Sequence, residues 1–351
     1  MKFSLFYFST NEAEYRSDKY RLVLEGARFA DRNGFEAIWT PERHFHSFGG
    51  IFPNPSVLSA GLATMTERID LRAGSVVLPL HDPVRVAEEW SVVDNLSGGR
   101  VGIAVAVGYS PNDFVLAPSL YATRKEAAFA KIETVRRLWR GETVTLTNGA
   151  GKPVEVRIFP MPTRPELPLW ITCGGADKEK FAEAGALGAN VLTALFVLNV
   201  DTLRDRIAAY RGARAAAGLD PAAGQVTLMV HAFIGDSVQA VRDKVRRPFI
   251  DYLRTSVDVW SKGYKRLEDV PQHRREDMLA FAFERYFRTS ALFGTPETCL
   301  EMVEGLREAG VDELACLIDF GVDREAVIDS LGRLDALRRR AAYAAPAAVA
   351  H

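Results

Sequence analysis

Short apolar runs alternate with amphipathic stretches along most of the chain. Phe3-Ser4-Leu5-Phe6-Tyr7-Phe8 is aromatic-rich and too short for a helix, which predicts a strand. Between Tyr20 and Arg32, Leu22, Leu24, Ala27, Phe29 and Ala30 share one helical face, and Asn33-Gly34 supplies the stop. The same reasoning predicts strands over 35–39, 69–78, 101–107, 169–172, 190–193, 226–234 and 313–318. The 101–107 run is almost wholly apolar, as a strand covered on both faces should be. Helices are predicted over 56–66, 84–96, 124–139, 178–186 and 202–217, from 238 to about 253, and from 324 to about 339.

Two segments interrupt this alternation. Residues 143–146 and 154–157 flank Asn148-Gly149 and predict a β-hairpin, an insert spanning about 141–160. A second, charged insert is expected over about 255–290, with a helical run through Phe281-Ala282-Phe283 and a further helix opened by Pro296. Eight strands with interposed helices predict an α/β fold, a (β/α)8 TIM barrel with insertions, in one domain over 1–340. The Ala-rich residues 341–351 are expected to form a flexible tail. A doubly wound open sheet is the competing architecture.

Composition narrows the class. In 351 residues, 48% are hydrophobic and 25% charged, the balance of a soluble globular protein. A net charge of −1 gives no global field to attract nucleic acid or an anionic membrane. Met1-Lys2-Phe3-Ser4 runs straight into a strand pattern, so neither a secretory leader nor a membrane span is expected. Cys173, Cys299 and Cys316 are scattered and form no CxxC pair, which points to a reducing, cytoplasmic setting without structural zinc.

In a barrel, chemistry gathers where strands end. Strand two is followed by Pro41-Glu42-Arg43-His44-Phe45-His46, strand three by Pro79-Leu80-His81-Asp82-Pro83, and strand four by Gly108-Tyr109-Ser110-Pro111-Asn112-Asp113. His44, between charged residues on this rim, suits acid–base work. His44 and His46 point the same way in extended chain, so with His231 and Asp319 they could also form a metal site, the mark of a metal-dependent barrel hydrolase. Gly174-Gly175 opens a helix after strand five, which suits either an anion or an ordinary tight turn. Arg124, at the start of a helix, could reach the same anion or simply be solvated. Gly74-Ser75 inside strand three marks a bulge, a packing adjustment or the close approach of a flat ring. With no GxGxxG after the first strand, a Rossmann dinucleotide site is not expected.

Taken in order, several segments resemble the bacterial-luciferase-like flavin monooxygenases nearly end to end. They are Gly34-Phe35-Glu36-Ala37-Ile38-Trp39, Glu42-Arg43-His44-Phe45, Val77-Leu78-Pro79, Pro83-Val84-Arg85-Val86-Ala87-Glu88, Leu96-Ser97-Gly98-Gly99-Arg100 and Gly294-Thr295-Pro296-Glu297. Trp39-Thr40-Pro41-Glu42-Arg43-His44-Phe45-His46 is most similar to a subgroup found inside or beside nonribosomal peptide and polyketide assembly lines. The resemblance implies FMN at the C-terminal face of the barrel, reduced by a separate flavin reductase. It also implies Glu42, Arg43, His44 and Asp113 as catalytic candidates, and Gly74, Ser75, Arg124, Gly174, Gly175 and Ala176 as cofactor-binding ones. Gly74-Ser75 matches the position of a non-prolyl cis peptide under the flavin ring, and Arg124 a phosphate-binding arginine. The luciferases carry a His-His pair after the glutamate; here the first of those positions is Arg43.

The activity implied is hydroxylation of a small molecule or a carrier-protein-bound acyl or aminoacyl group, by a homodimer joined through barrel-side helices. The late insert and the loop after strand four are candidate lids. A deazaflavin-dependent oxidoreductase, a metal-dependent hydrolase and a flavin-binding subunit without catalysis are the alternatives.

Overall fold

The computed structural model describes residues 1–8, 18–175, 177–195, 198–260 and 271–343. The elements run β1 (Lys2–Phe6), α1 (Arg21–Asn33), β2 (Ala37–Thr40), α2 (Pro55–Ala63), β3 (Asp70–Val77), α3 (Pro83–Ser97), β4 (Val101–Ala106) and α4 (Arg124–Trp139). A hairpin follows, β5 (Val144–Thr147) and β6 (Pro153–Val156), then β7 (Leu169–Cys173), α5 (Lys178–Ala186), β8 (Asn190–Ala194), α6 (Val200–Ala216) and β9 (Val226–Ile234). The last are α7 (Val238–Trp260), α8 (Gln272–Thr289), β10 (Ala291–Gly294), α9 (Pro296–Glu308), β11 (Glu313–Leu317) and α10 (Arg324–Tyr343).

Among the described residues, β1, β2, β3, β4, β7, β8, β9 and β11 pair in that cyclic order, all parallel, and β11 returns to β1. The sheet is therefore a closed barrel and not an open doubly wound one. Helix ends follow local chemistry. Gly34, at φ 74°, terminates α1; Asn54 caps α2 ahead of Pro55; Thr295 and Thr298 form a reciprocal cap on α9.

The expected hairpin forms, with its strands displaced by one residue to 144–147 and 153–156; its loop is closed by the Asn148 N–H on the Lys152 carbonyl, and Gly151 takes the left-handed conformation. Three expectations need correction. Helix α7 continues to Trp260, beyond the expected stop near 253. Helix α10 reaches Tyr343, so the first residues of the expected tail are helical. Strand β10 was not anticipated; its four residues extend the sheet along the far half of β9, from His231 to Ile234. Part of the expected late insert, 261–270, and the tail from 344 onward lie outside the described residues.

The barrel interior is filled by aromatic and aliphatic side chains around the buried pair of Arg72 and Glu313, with Asp70 on Arg72 Nη2 at 2.8 Å. Arg72 Nη1 meets Glu313 Oε2 at 2.8 Å, with its guanidinium over Trp39 and Trp170, and both charged side chains are almost fully buried. Ser4, the Trp39 indole and Gln225 also donate to the Glu313 carboxylate. Such saturation is what makes a buried carboxylate tolerable.

Candidate active site

The loops after β1, β2, β3, β4 and β7 meet at the C-terminal end of the barrel. Its centre is Glu42, whose side chain is 1% exposed. Glu42 Oε1 accepts from His44 Nε2 and His81 Nε2, both at 2.7 Å, and Oε2 accepts the Val77 backbone N–H at 2.8 Å. Burial alone would raise the Glu42 carboxyl, but the bonds from His44 and His81, the His81 charge and the Val77 N–H hold it below the ordinary 4.5. Burial likewise pulls His81 down, but its bond to Glu42 and the nearby carboxylate charges of Glu42 and Glu89 raise it above 6.5. The carboxylate is ionised and fully engaged, so Glu42 orients the two imidazoles and acts through them.

An ionised carboxylate only accepts. Both histidines therefore donate from Nε2, which leaves Nδ1 of His44 as its other ring atom for proton transfer; the tautomer follows from the bonding network. His81 was visible in the sequence as a rim residue but received no role, because spacing along the chain does not report that two loops share one carboxylate.

Arg43 makes its side-chain hydrogen bond outside this cluster. Its guanidinium sits 4.5 Å from the Phe8 ring centroid and 5.2 Å from that of Phe48, and donates to the Tyr109 hydroxyl at 3.2 Å. Asp113 opens a short 3-10 turn after β4. Burial raises its pKa, against the opposing pull of the Ser110 bond and the His44 and Arg43 charges.

Gly74-Ser75 is a cis peptide, at the point where β3 shifts register against β4. A Cβ on Gly74 would lie 2.7 Å from the Phe6 ring and 3.1 Å from Trp39, so only glycine fits. Ser75 Oγ pairs with Thr172 Oγ1 on β7 at 2.5 Å. Arg124 Nε donates to the Gly108 carbonyl and Nη1 to that of Tyr121, with the guanidinium over the Tyr121 ring. Gly174 and Gly175 face open space, where an added Cβ would meet nothing within 4 Å, and Gly175 has φ 84°. Ala176 lies outside the described residues.

The metal set of His44, His46, His231 and Asp319 is not brought together. His46 Nδ1 accepts the Phe48 N–H, and Asp319 accepts that of Phe8. His231 bonds the Tyr286 hydroxyl at 2.8 Å in an aromatic cage, and burial pushes its pKa down to about 3. Among the described residues, the one group of three potential ligands within 4.8 Å of one another is Glu42, His44 and His81.

The sequence profile of luciferase-like monooxygenases matches residues 1–313. The chain is 24% identical over 350 residues to the oxygenase component of a flavin-dependent trigonelline monooxygenase from Acinetobacter baylyi, covering 95% of this chain and 93% of that one. It is 28% identical over 315 residues to 4-hydroxyprotoasukamycin monooxygenase of Streptomyces nodosus subsp. asukaensis, covering 87% and 82%. Its fold is similar, at TM-score 0.77 and 18% identity, to the oxygenating constituent of 3,6-diketocamphane monooxygenase from Pseudomonas putida in complex with FMN, covering 95% and 96%.

Proposed function

The chain belongs to the luciferase-like monooxygenase family, and from that premise we propose that it is the oxygenase component of a two-component system that hydroxylates a natural-product intermediate. Reduced FMN comes from a separate flavin reductase, and the intermediate is free or tethered to a carrier protein as an acyl or aminoacyl group. The Acinetobacter relative named as an oxygenase component supports the reductase, and the FMN-bound Pseudomonas structure supports the cofactor. The homodimer joined through barrel-side helices belongs to the same reading. No described helix is long and apolar enough to cross a membrane.

The residues fit FMN. Open space beside Gly174 and Gly175 lets backbone N–H groups approach a phosphate. Arg124 would supply its counter-charge. When bound, the reduced flavin supplies the electrons that activate oxygen.

The chain's own part is orientation, dryness and a proton. Glu42 fixes His44 so that Nδ1 takes or gives the proton at the reacting oxygen or substrate. His81 and the Val77 N–H help keep Glu42 ionised, so it stays an acceptor for His44. Asp113 lies close enough to feel the charges of His44 and Arg43.

The single observation that carries this reading is Glu42, in the loop after β2, holding His44 and His81 on one carboxylate oxygen while the Val77 N–H at the end of β3 holds the other. The test is mass spectrometry of products made under labelled oxygen, with FMN, a flavin reductase and free or carrier-bound acids. One labelled oxygen atom per product is expected, with His44→Gln slowing turnover about 10²–10⁴-fold at unchanged FMN affinity. Unlabelled product, or turnover with a deazaflavin alone, would overturn it.

A further inference from the structure

Arg43 is a charged side chain of the site that the acid–base cluster does not use. It is half-buried, and among the described residues it makes no ion pair; the Tyr109 hydroxyl is its single side-chain hydrogen bond. A guanidinium carries five N–H donors, so most of its donor edge is unspent. Arginine so withdrawn from water is costly unless something pays back its lost hydration. Asp113 feels the Arg43 charge through space without forming an ion pair with it, and Glu42 is saturated by His44, His81 and Val77.

The surroundings hold this arginine in place. Phe8 and Phe48 stand edge to face, ring centroids 6.0 Å apart, with the guanidinium over both. Gly49, at φ 71°, clears the way: a Cβ there would come within 2.6 Å of the Phe8 carbonyl and 2.9 Å of Arg43 Cγ. The Arg43 N–H is tied to the Phe52 carbonyl at 2.8 Å. The stem and one face of the group are therefore committed, while the donor edge is left over. Apolar side chains stand exposed on the two loops that the Arg43–Tyr109 bond joins: Phe45 at 65%, Val115 at 65% and Leu116 at 50%.

We infer that Arg43 is the recognition point for a carboxylate on the substrate, and that the substrate is an amphipathic acid whose apolar body lies along Phe45, Val115 and Leu116. A planar donor edge matches a carboxylate with two parallel hydrogen bonds. Binding at Arg43 sets the acid beside His44, the next residue, and this deepens the oxygenase reading on which it rests. It also gives a reason for arginine where luciferases have histidine: the position reads charge on the substrate instead of moving a proton.

The test is calorimetric titration of the FMN-saturated full-length protein with three matched pairs: benzoate and benzamide, cinnamate and cinnamamide, decanoate and decanamide. At least one acid should bind 10-fold or more tightly than its amide, about 1.4 kcal/mol. Arg43→Gln should bring that preference to threefold or less, and Arg43→Lys should keep part of it, with FMN affinity and the circular dichroism spectrum unchanged in both. A merely structural arginine would alter folding or FMN affinity without touching the acid-to-amide ratio. No preference in any pair, or one that survives Arg43→Gln, overturns the inference. FMN binding is measured first and separately, so its failure would sink the flavin reading and leave the acid-to-amide ratio to be read on its own.

Discussion

Glu42→Gln isolates what the central carboxylate contributes, because volume is nearly conserved while one acceptor becomes a donor. Three donors converge on Glu42, two imidazoles on Oε1 at 2.7 Å and one backbone N–H on Oε2 at 2.8 Å. The Val77 N–H has no other protonation state, so the amide oxygen of glutamine must face it. The NH2 group then confronts His44 and His81, and each must offer a bare Nε2 and carry its proton on Nδ1. Hydrogen bonds to charged groups contribute about 1.5–3 kcal/mol each, so weakening this set should cost about 2–4 kcal/mol of stability near neutral pH. The pH dependence has two limbs. Glu42 is depressed below 4.5 in the fold, so its contribution is present above that value and lost as pH falls through its folded pKa. His81 is raised above 6.5, so its contribution is complete below that value and lost as pH rises through its folded pKa. Both charges are in place between 4.5 and 6.5, and the penalty of Glu42→Gln should be largest there and shrink well above the His81 pKa. Urea denaturation at about pH 6 and about pH 9, for the parent, Glu42→Gln, His81→Gln and the double variant, measures this. A loss under about 0.5 kcal/mol, an equal loss at both pH values, or strict additivity with His81→Gln would refute the reasoning.

Other sites give independent checks. Gly74→Ala forces a methyl group against Phe6 and Trp39, so it should cost about 1–3 kcal/mol in denaturation and weaken FMN binding in the same preparation. Glu313→Gln takes the fully buried carboxylate from Arg72, which keeps Asp70 at 2.8 Å, and should destabilise by about 1.5–3 kcal/mol in denaturation. Burial pushes the Cys173 and Cys299 thiols up to about 12, and Cys316 higher still. A thiol reagent should therefore find none of them in the native protein and all three after unfolding.

The barrel was legible because its strands and helices differ in period, and because Gly34, Pro83 and Pro296 mark boundaries with their own stereochemistry. Strand β10 was not. Its four residues follow directly on a helix, and a run that short carries no period to separate the two states. The hairpin was visible from Asn148-Gly149, but the residue that enters the left-handed region is Gly151, because the Asn148 side chain accepts from both Ala150 and Lys152. At the site, Glu42 and His44 lie two residues apart and were read together. His81 joins them from 39 positions away, through a loop whose path no local pattern encodes. The metal set failed for the matching reason: His231 belongs to an aromatic cage built by Phe249, Tyr252 and Tyr286, which the sequence shows only as scattered rings.

The account rests on FMN occupying the end of the barrel that carries Arg124 and the open Gly174-Gly175 turn. Anaerobic titration with reduced FMN tests this most directly, read by flavin fluorescence on the parent protein and on Arg124→Gln. Saturable binding is predicted in the parent, with affinity about 10-fold or more weaker once the charge-assisted bond to phosphate is removed. Absence of saturable binding, or equal affinity in the two proteins, would contradict it.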